Sequence, residues 1–261
     1  MFFARKTRLY FCPHQDDELL TMGIDIHSAV LSKNIVHVIL CTDGSQSSVR
    51  KKLNNGKSCS KHPGTHIYDL SIEEFVQARD REFIGSCTAL GVRESNIHIP
   101  QKRDIDGSLS VKNAEDLIMH YLSVYGRNAV VCTVSPNNGP SQHQDHKTLG
   151  IAASNLLRQG VLKEVHFFIE PYLFEQIKDD PQLVAVEPTI TQASVDMKAA
   201  IDAAIHSYSC WNPEEHRYAV GYHSVPTEFD DFLEAPKNYS FVEWNPKAMN
   251  FFQRRRLQHQ K

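Results

Sequence analysis

The sequence predicts an α/β fold: a mostly parallel, Rossmann-like sheet with helices on both faces and a site at the carboxyl ends of the strands. Two observations carry this. Short β-branched apolar runs alternate with segments of helical periodicity from residue 7 to residue 169. Two of those runs end in clusters of histidine and carboxylate, where an open parallel sheet places its ligands. At 261 residues, 41% apolar and 23% charged, the chain can build one sizeable core, and we read residues 1–261 as a single domain.

The elements follow in order. Residues 7–13 (TRLYFCP) read as a short buried strand. Residues 18–33 repeat apolar side chains at the spacing of one helix face. Residues 35–42 (IVHVILCT) are a second strand, ending in Asp43-Gly44. Residues 45–66 are polar, basic and glycine-bearing and read as a long loop. Its Arg50, Lys51 and Lys52 make it either a solvated stretch or a lid that meets an anionic substrate. Ser71 and Glu74 form a capping box before a helix over 71–90, which Leu90-Gly91 ends. A brief strand at 96–99, a helix at 110–125 and a strand at 128–134 (NAVVCTV) come next. After a Pro/Asn/Gly/Ser loop at 135–142, a helix at 146–158 and a strand at 164–169 (EVHFFI) complete the alternation. The cationic tail at 254–261 reads as a solvated end.

Composition removes several functions. With 28 Lys+Arg against 31 Asp+Glu, a net charge of -3 argues against nucleic acid or an anionic membrane surface as partner. No run approaches the roughly 18 apolar residues of a spanning helix. The six cysteines contain no CxxC pair, which removes a zinc ribbon. Cys12, Cys41 and Cys132 sit in apolar strands, which suits a reducing compartment. Residues 1–13 lack a signal-peptide pattern, so the expected location is cytoplasmic. No GxGxxG or GxxxxGK[ST] occurs, so a dinucleotide site or P-loop has no support.

Chemistry concentrates in two segments. One is Pro13-His14-Gln15-Asp16-Asp17-Glu18, after the first strand; the other is His143-Gln144-Asp145-His146, after the strand at 128–134. In a parallel sheet both lie at one edge and can share a small volume. His14 and Asp17, three apart across a strand-to-helix turn, can point at one ion, and His146 can supply a third ligand. Two imidazoles and one carboxylate leave a fourth position open, the pattern of a catalytic rather than a structural zinc site. Asp16 is left over beside the ion as general base. His143 is close to the metal without being needed as a ligand. Asp145 hydrogen-bonds either His143, keeping that ring an acid or oxyanion donor, or His146, orienting a ligand; we favour the first. Taken singly, each segment reads as readily as a helix-capping turn. Together, at the ends of two buried strands, they read as a site.

These segments resemble those of the PIG-L/LmbE-like zinc-dependent N-acetylglucosaminyl deacetylases, which carry a His-Pro-Asp-Asp-Glu-type motif after the first strand and His-x-Asp-His later. Gly23, Thr42-Asp43-Gly44, the Arg79…Glu82…Leu90-Gly91-Val92 pattern and Gly150 extend the likeness over residues 7–170. The stretch from Lys198 to Ser209 extends it more loosely. The resemblance implies a Rossmann-like fold with a C-terminal segment, about 190–250, packed over the site. It implies His14, Asp17 and His146 as ligands of one zinc, for which Fe2+ or Co2+ could substitute. It implies Asp16 as base and His143 as acid or oxyanion stabiliser, supported by Asp145. Gln15 departs from the family's usual proline.

The implied activity is hydrolysis of an N-acetyl group on a small-molecule amino-sugar conjugate of the N-acetylglucosamine type, releasing acetate and a free amine. The competing readings are a catalytically silent carbohydrate- or partner-binding relative, and a zinc hydrolase of another amide or an ester. Every expected catalytic position is filled, which argues against the silent relative. On the substrate side, Arg79 could meet a sugar hydroxyl or pair with Glu82, and Asp43 could take sugar hydroxyls or serve its turn. His223, in Gly221-Tyr222-His223-Ser224, could contact substrate or simply pack. Cys59, His62 and His66 could hold a second metal, though a polar loop more readily leaves them solvated.

Overall fold

The computed structural model describes residues 5–58, 61–62 and 65–245. In chain order its elements are β1 (Thr7–Cys12), α1 (Asp17–Leu20), α2 (Gly23–Leu31), β2 (Ile35–Leu40), α3 (Val49–Asn54), β3 (Lys57–Ser58), β4 (Thr65–His66), α4 (Ile72–Ala89), β5 (Ile97–His98), α5 (Val111–Tyr125) and β6 (Val130–Val134). There follow α6 (Gln144–Gln159), β7 (Glu164–Ile169), α7 (Pro171–Ile177), α8 (Pro181–Val186), β8 (Thr189–Gln192), α9 (Lys198–Ser209), β9 (Trp211–Asn212), β10 (Arg217–Tyr218), α10 (Val220–Ser224), α11 (Pro226–Glu234) and β11 (Lys237–Trp244).

A seven-stranded sheet has the order β5-β2-β1-β6-β7-β11-β8. The strands from β5 to β7 run parallel, while β11 is antiparallel to both β7 and β8. From β1 the chain builds outward through β2 on one side and through β6 on the other. The order therefore reverses between β1 and β6, the switch point at which open sheets bind ligands. Register pairs Leu9 with Val131 and Tyr10 with Cys132, so the segments following the two strands emerge side by side.

Side chains alternate across the sheet, and both faces are buried. Leu9, Phe11, Ile39, Val131 and Phe167 pack with α5 and α6 through Ile118 and Leu149. Tyr10, Cys12, Val38, Leu40 and Cys132 pack with α2, α4 and α9 through Ile26, Phe83 and Ile201. Cys12, Cys41, Cys87 and Cys132 are buried free thiols. No helix among the described residues is long and apolar enough to cross a membrane.

Two stretches differ from the sequence expectation. The helix expected over 18–33 is broken into α1 and α2. The start of α2 is capped from far away, because Asn238 Oδ1 in β11 accepts from the Ile24 N–H at 2.9 Å and the Asp25 N–H at 3.2 Å. The 45–66 segment, expected as loop, holds α3 and the β3–β4 hairpin. Val49 and Leu53, one turn apart, bury against a small cluster with Phe75 and Tyr218, leaving Lys51 and Lys52 exposed. Elsewhere, Ser71 and Glu74 make both capping-box bonds, and Gly91 leaves α4 at φ 87. The tail at 254–261, Cys59 and the side chain of His66 lie outside the described residues.

Candidate metal and catalytic site

Beyond Cys12 the chain turns through His14 into α1, and the His14 N–H donates to Asp17 Oδ2 at 2.9 Å, closing the turn. His143 is the N-cap of α6, which puts His146 in the first turn of that helix, facing back toward β1. Three atoms then form a triangle. His14 Nδ1 lies 3.0 Å from His146 Nε2, His146 Nε2 lies 3.2 Å from Asp17 Oδ2, and His14 Nδ1 lies 3.7 Å from Asp17 Oδ2. Ligands bonded at about 2.0–2.1 Å to a tetrahedral ion stand about 3.3 Å apart, so the triangle has the size of one face of such a site.

The other nitrogen of each ring faces carboxylate. His14 Nε2 lies 3.1 Å from Asp145 Oδ2 and 3.2 Å from Asp106 Oδ1, and His146 Nδ1 lies 2.8 Å from Glu170 Oε1. Such partners fix the tautomer of a metal-binding imidazole and raise its basicity. The carboxylates are held in turn. Asp145 accepts from the Gly107 and Leu109 N–H groups at 2.6 and 3.1 Å, and Glu170 from Asn138 and Tyr172 at 2.9 and 2.8 Å. Burial alone would depress His146, but Asp17 and Glu170 hold its pKa well above the ordinary value. An N,N,O donor set with an open side fits a divalent cation.

Asp16 sits beside the triangle on the cavity wall, at φ 105. That left-handed backbone is sparsely populated for a residue with a side chain and stores strain. It is secured from below. The Asp16 N–H donates to Glu18 Oε2 at 3.1 Å, and the Tyr208 hydroxyl of α9 donates to Glu18 Oε1 at 2.7 Å. Burial and the neighbouring Asp17 push the Asp16 carboxyl up to about 7, against the pull of Arg79.

His143 lies on the same wall with its ring edge-on to His14, 4.6 Å between centroids. Its expected carboxylate partner is elsewhere: Asp145 Oδ2 is 4.0 Å from His143 Nδ1 and turned to His14. The backbone N–H of Asp145 donates to that Nδ1 instead, at 3.3 Å, as part of the helix cap. Nδ1 is therefore an acceptor, and in the neutral ring Nε2 carries the hydrogen. Nor does Asp145 hold His146, whose partner is Glu170.

The substrate-side candidates divide. Arg79 lines the cavity, yet it does not pair with Glu82. Its guanidinium donates to the carbonyls of Gln15 and Gly44 at 3.0 and 2.9 Å, while Glu82 accepts from the Val220 and Gly221 N–H groups at 2.6 and 2.9 Å. Gly44 has φ +67, and a Cβ there would stand 2.6 Å from Arg79 Nη1. Asp43 is off the wall; its Oδ1 accepts from the Ser45 and Asp106 N–H groups at 2.9 and 3.0 Å, fastening the Asp106 loop. His223 is buried in α10, with Nδ1 3.2 Å from the Tyr218 carbonyl, and is also off the wall. His62 meets the Ser209 carbonyl at 2.7 Å and joins no metal-binding group among the described residues. Gln15, where the family favours proline, donates to Asp80 at 2.9 Å, and Asp80 takes both arms of Arg103 at 2.8 Å.

Two residues of the site were not expected from sequence, Asp106 and Glu170. Glu170 directly follows a parallel strand, the position that exposed the two motifs. Asp106 groups with His14, His143 and Asp145. All of this opens into a cavity of about 700 Å³, whose far side is built by α7, α11 and Lys237. That volume is ordinary for a small-molecule site.

A model of the family described as PIG-L, GlcNAc-PI de-N-acetylase, matches residues 9–157. No curated protein shows significant sequence similarity to the chain. Solved structures do resemble it. The N,N'-diacetylchitobiose deacetylase from Pyrococcus horikoshii, complexed with its inhibitor MPG, is 16% identical with a TM-score of 0.57, over 93% of this chain and 85% of that one. A deacetylase of the teicoplanin pathway, in complex with teicoplanin, is 16% identical with a TM-score of 0.60, over 93% and 100%. GalB, the 4-carboxy-2-hydroxymuconate hydratase of Pseudomonas putida KT2440, is 16% identical with a TM-score of 0.52, over 94% and 99%. At these identities the likeness is one of fold. Since a hydratase shares it, the fold alone does not choose the reaction.

Proposed function

The chain belongs to the PIG-L family of GlcNAc-PI de-N-acetylases, and from that premise we propose that it is a zinc-dependent N-deacetylase. Its substrate on this reading is an N-acetylated amino-sugar conjugate, and its products are acetate and a free amine. The observation that carries the reading is the triangle of His14 Nδ1, Asp17 Oδ2 and His146 Nε2, with Asp16 beside it and unused as a ligand.

A zinc ion held by those atoms supplies Lewis acidity, bringing the pKa of a bound water toward about 7 and polarising a carbonyl. The chain's own groups do the rest. Asp16 takes the proton of the attacking water on its carboxylate and returns it to the departing nitrogen. His143 donates its Nε2–H to the acetamide oxygen as negative charge grows there. Burial and the neighbouring His14 and His146 depress its pKa, so it gives a hydrogen bond rather than a proton. Asp145 and Asp106 orient His14, and Glu170 orients His146. Arg79 is the substrate-side contact we retain; Asp43 and His223 act through the backbone they hold. Buried free thiols fit a reducing compartment, and we place the protein in the cytoplasm, without nucleic acid as a partner.

The test is amine release from a panel of N-acetylglucosamine conjugates by chelator-stripped, zinc-reloaded protein. Release by the wild type, lost in Asp16→Asn and His146→Ala, is the expected result. Tight zinc with no release from any conjugate would replace the reading with the silent relative, and ester cleavage alone would replace it with another hydrolase.

A further inference from the structure

Among the described residues, every phenylalanine, tyrosine and tryptophan is buried or half-buried except Tyr172, which is 45% exposed and lines the cavity. The sides of α7 divide there. Leu173, Phe174 and Ile177 turn into the core, and Phe174 stacks on Tyr239 with 3.9 Å between centroids. Tyr172 and Glu175, one turn apart, face the cavity instead. No aromatic neighbour covers the Tyr172 ring among the described residues. An aromatic left bare inside a concave site is apolar area available to a ligand.

The ring is also tied in place. Glu170 is the N-cap of α7 and Pro171 its first residue, so the fixed φ of proline sets the step from Glu170 to Tyr172. The Tyr172 hydroxyl donates to Glu170 Oε1 at 2.8 Å, the same oxygen that meets His146 Nδ1 at 2.8 Å. The hydroxyl end of the ring is therefore anchored at the metal-binding end of the cavity. A side chain already fixed in this way loses little conformational entropy when a ligand lies against it.

A pyranose suits such a surface. Its hydroxyls point outward around the rim, while its faces carry C–H bonds, an apolar area that an aromatic face can cover. Resting on the deacetylase reading, we infer that Tyr172 is a specificity residue whose ring carries the sugar ring bearing the acetamide. The test is steady-state kinetics of the zinc-loaded protein on the methyl glycoside of N-acetylglucosamine, which offers no large aglycone. Tyr172→Phe and Tyr172→Leu both lose the hydroxyl, and only the second loses the aromatic face. KM should rise on the order of tenfold in Tyr172→Leu and stay within about threefold of the wild type in Tyr172→Phe. Any change in kcat that comes from releasing Glu170 should be shared by the two variants. Equal KM values in the two variants overturn the inference. So does a KM loss seen only with an aryl glycoside, which would assign the ring to the aglycone.

A second measurement does not depend on catalysis. Ligand-observed NMR titrates the methyl glycoside of glucosamine, which has no acetyl group to lose, against the zinc-loaded wild type and both variants. Binding kept in Tyr172→Phe and weakened on the order of tenfold in Tyr172→Leu upholds the inference even if no conjugate releases an amine, in which case the deacetylase reading alone fails. No binding by the wild type, or undiminished binding by Tyr172→Leu, overturns it.

Discussion

His14 and His146 stand 3.0 Å apart, nitrogen to nitrogen, and so do His37 and His98. The first pair lies at the switch point of the sheet, with Asp17 at the third vertex and a carboxylate behind each ring. The second spans β2 and β5 at the sheet's edge. His37 stacks on Tyr125, 3.7 Å between centroids, and His98 lies beside Tyr121. No carboxylate ion pair reaches either ring of this pair among the described residues. Burial lowers both pKa values, that of His37 to about 4, with His98 and Arg93 adding to the effect. The same burial acts on His146 and is overcome there by Asp17 and Glu170. Two histidines at hydrogen-bond distance do not make a cation site. The carboxylates are what the first pair adds: they supply the negative charge that a buried dication would require and would choose which nitrogen it meets.

The contrast can be broken at several points. The largest effect belongs to the triangle: His146→Ala or Asp17→Asn should take bound zinc from roughly one per chain to near none, measured by metal analysis after dialysis. His37→Phe should leave it at roughly one. If both pairs tolerate loss, or His37→Phe also strips the metal, the distinction drawn here is wrong. Next is Asp16→Asn, which should keep its zinc and lose about 10²–10⁴ in kcat, a split that steady-state kinetics with parallel metal analysis will reveal. Glu170→Gln and Asp145→Asn should weaken zinc by about 10–100-fold in competition with a chromophoric chelator, since each removes only the charge behind a ring.

The smallest effect belongs to the second pair and appears as acid sensitivity. His37 has a folded pKa near 4 against an ordinary 6.5, so the unfolded chain binds its proton first as pH falls. Its contribution to stability is intact above pH 6.5 and drains away between 6.5 and 4. His37→Phe should flatten that part of the melting-temperature profile by a few degrees relative to the wild type. A parallel fall in the two proteins would contradict the assignment.

Much of this was legible in the sequence, for definite reasons. Strands buried on both faces read as apolar runs, and carboxyl ends of parallel strands collect ligands, so the two motifs announced themselves. What they contact across the fold was less legible. Asp145 could be placed near a histidine, but a sequence cannot say that its carboxylate turns to His14 while its backbone N–H serves His143. Glu170 obeys the strand-end rule yet stands alone, without a neighbouring histidine to draw attention. Asp106 lies in a loop whose position is fixed by Asp43, 63 residues earlier. The helix break before Gly23 depends on a cap contributed by Asn238, which no local pattern records. In 45–66 the cations masked the pair of apolar residues that fold α3.

That distant cap has a consequence for the order of events during synthesis. The strained turn at Asp16 leans on Glu18 and Tyr208, and α2 behind it is capped by Asn238. At about 5–20 residues per second, a ribosome takes on the order of ten seconds or more to travel from the first motif to its last support. Through that interval the nascent chain already displays His14, Asp16 and Asp17 but lacks the framework that shapes them. The first motif is thus written well before the residues that hold it in shape, and it becomes competent only after them.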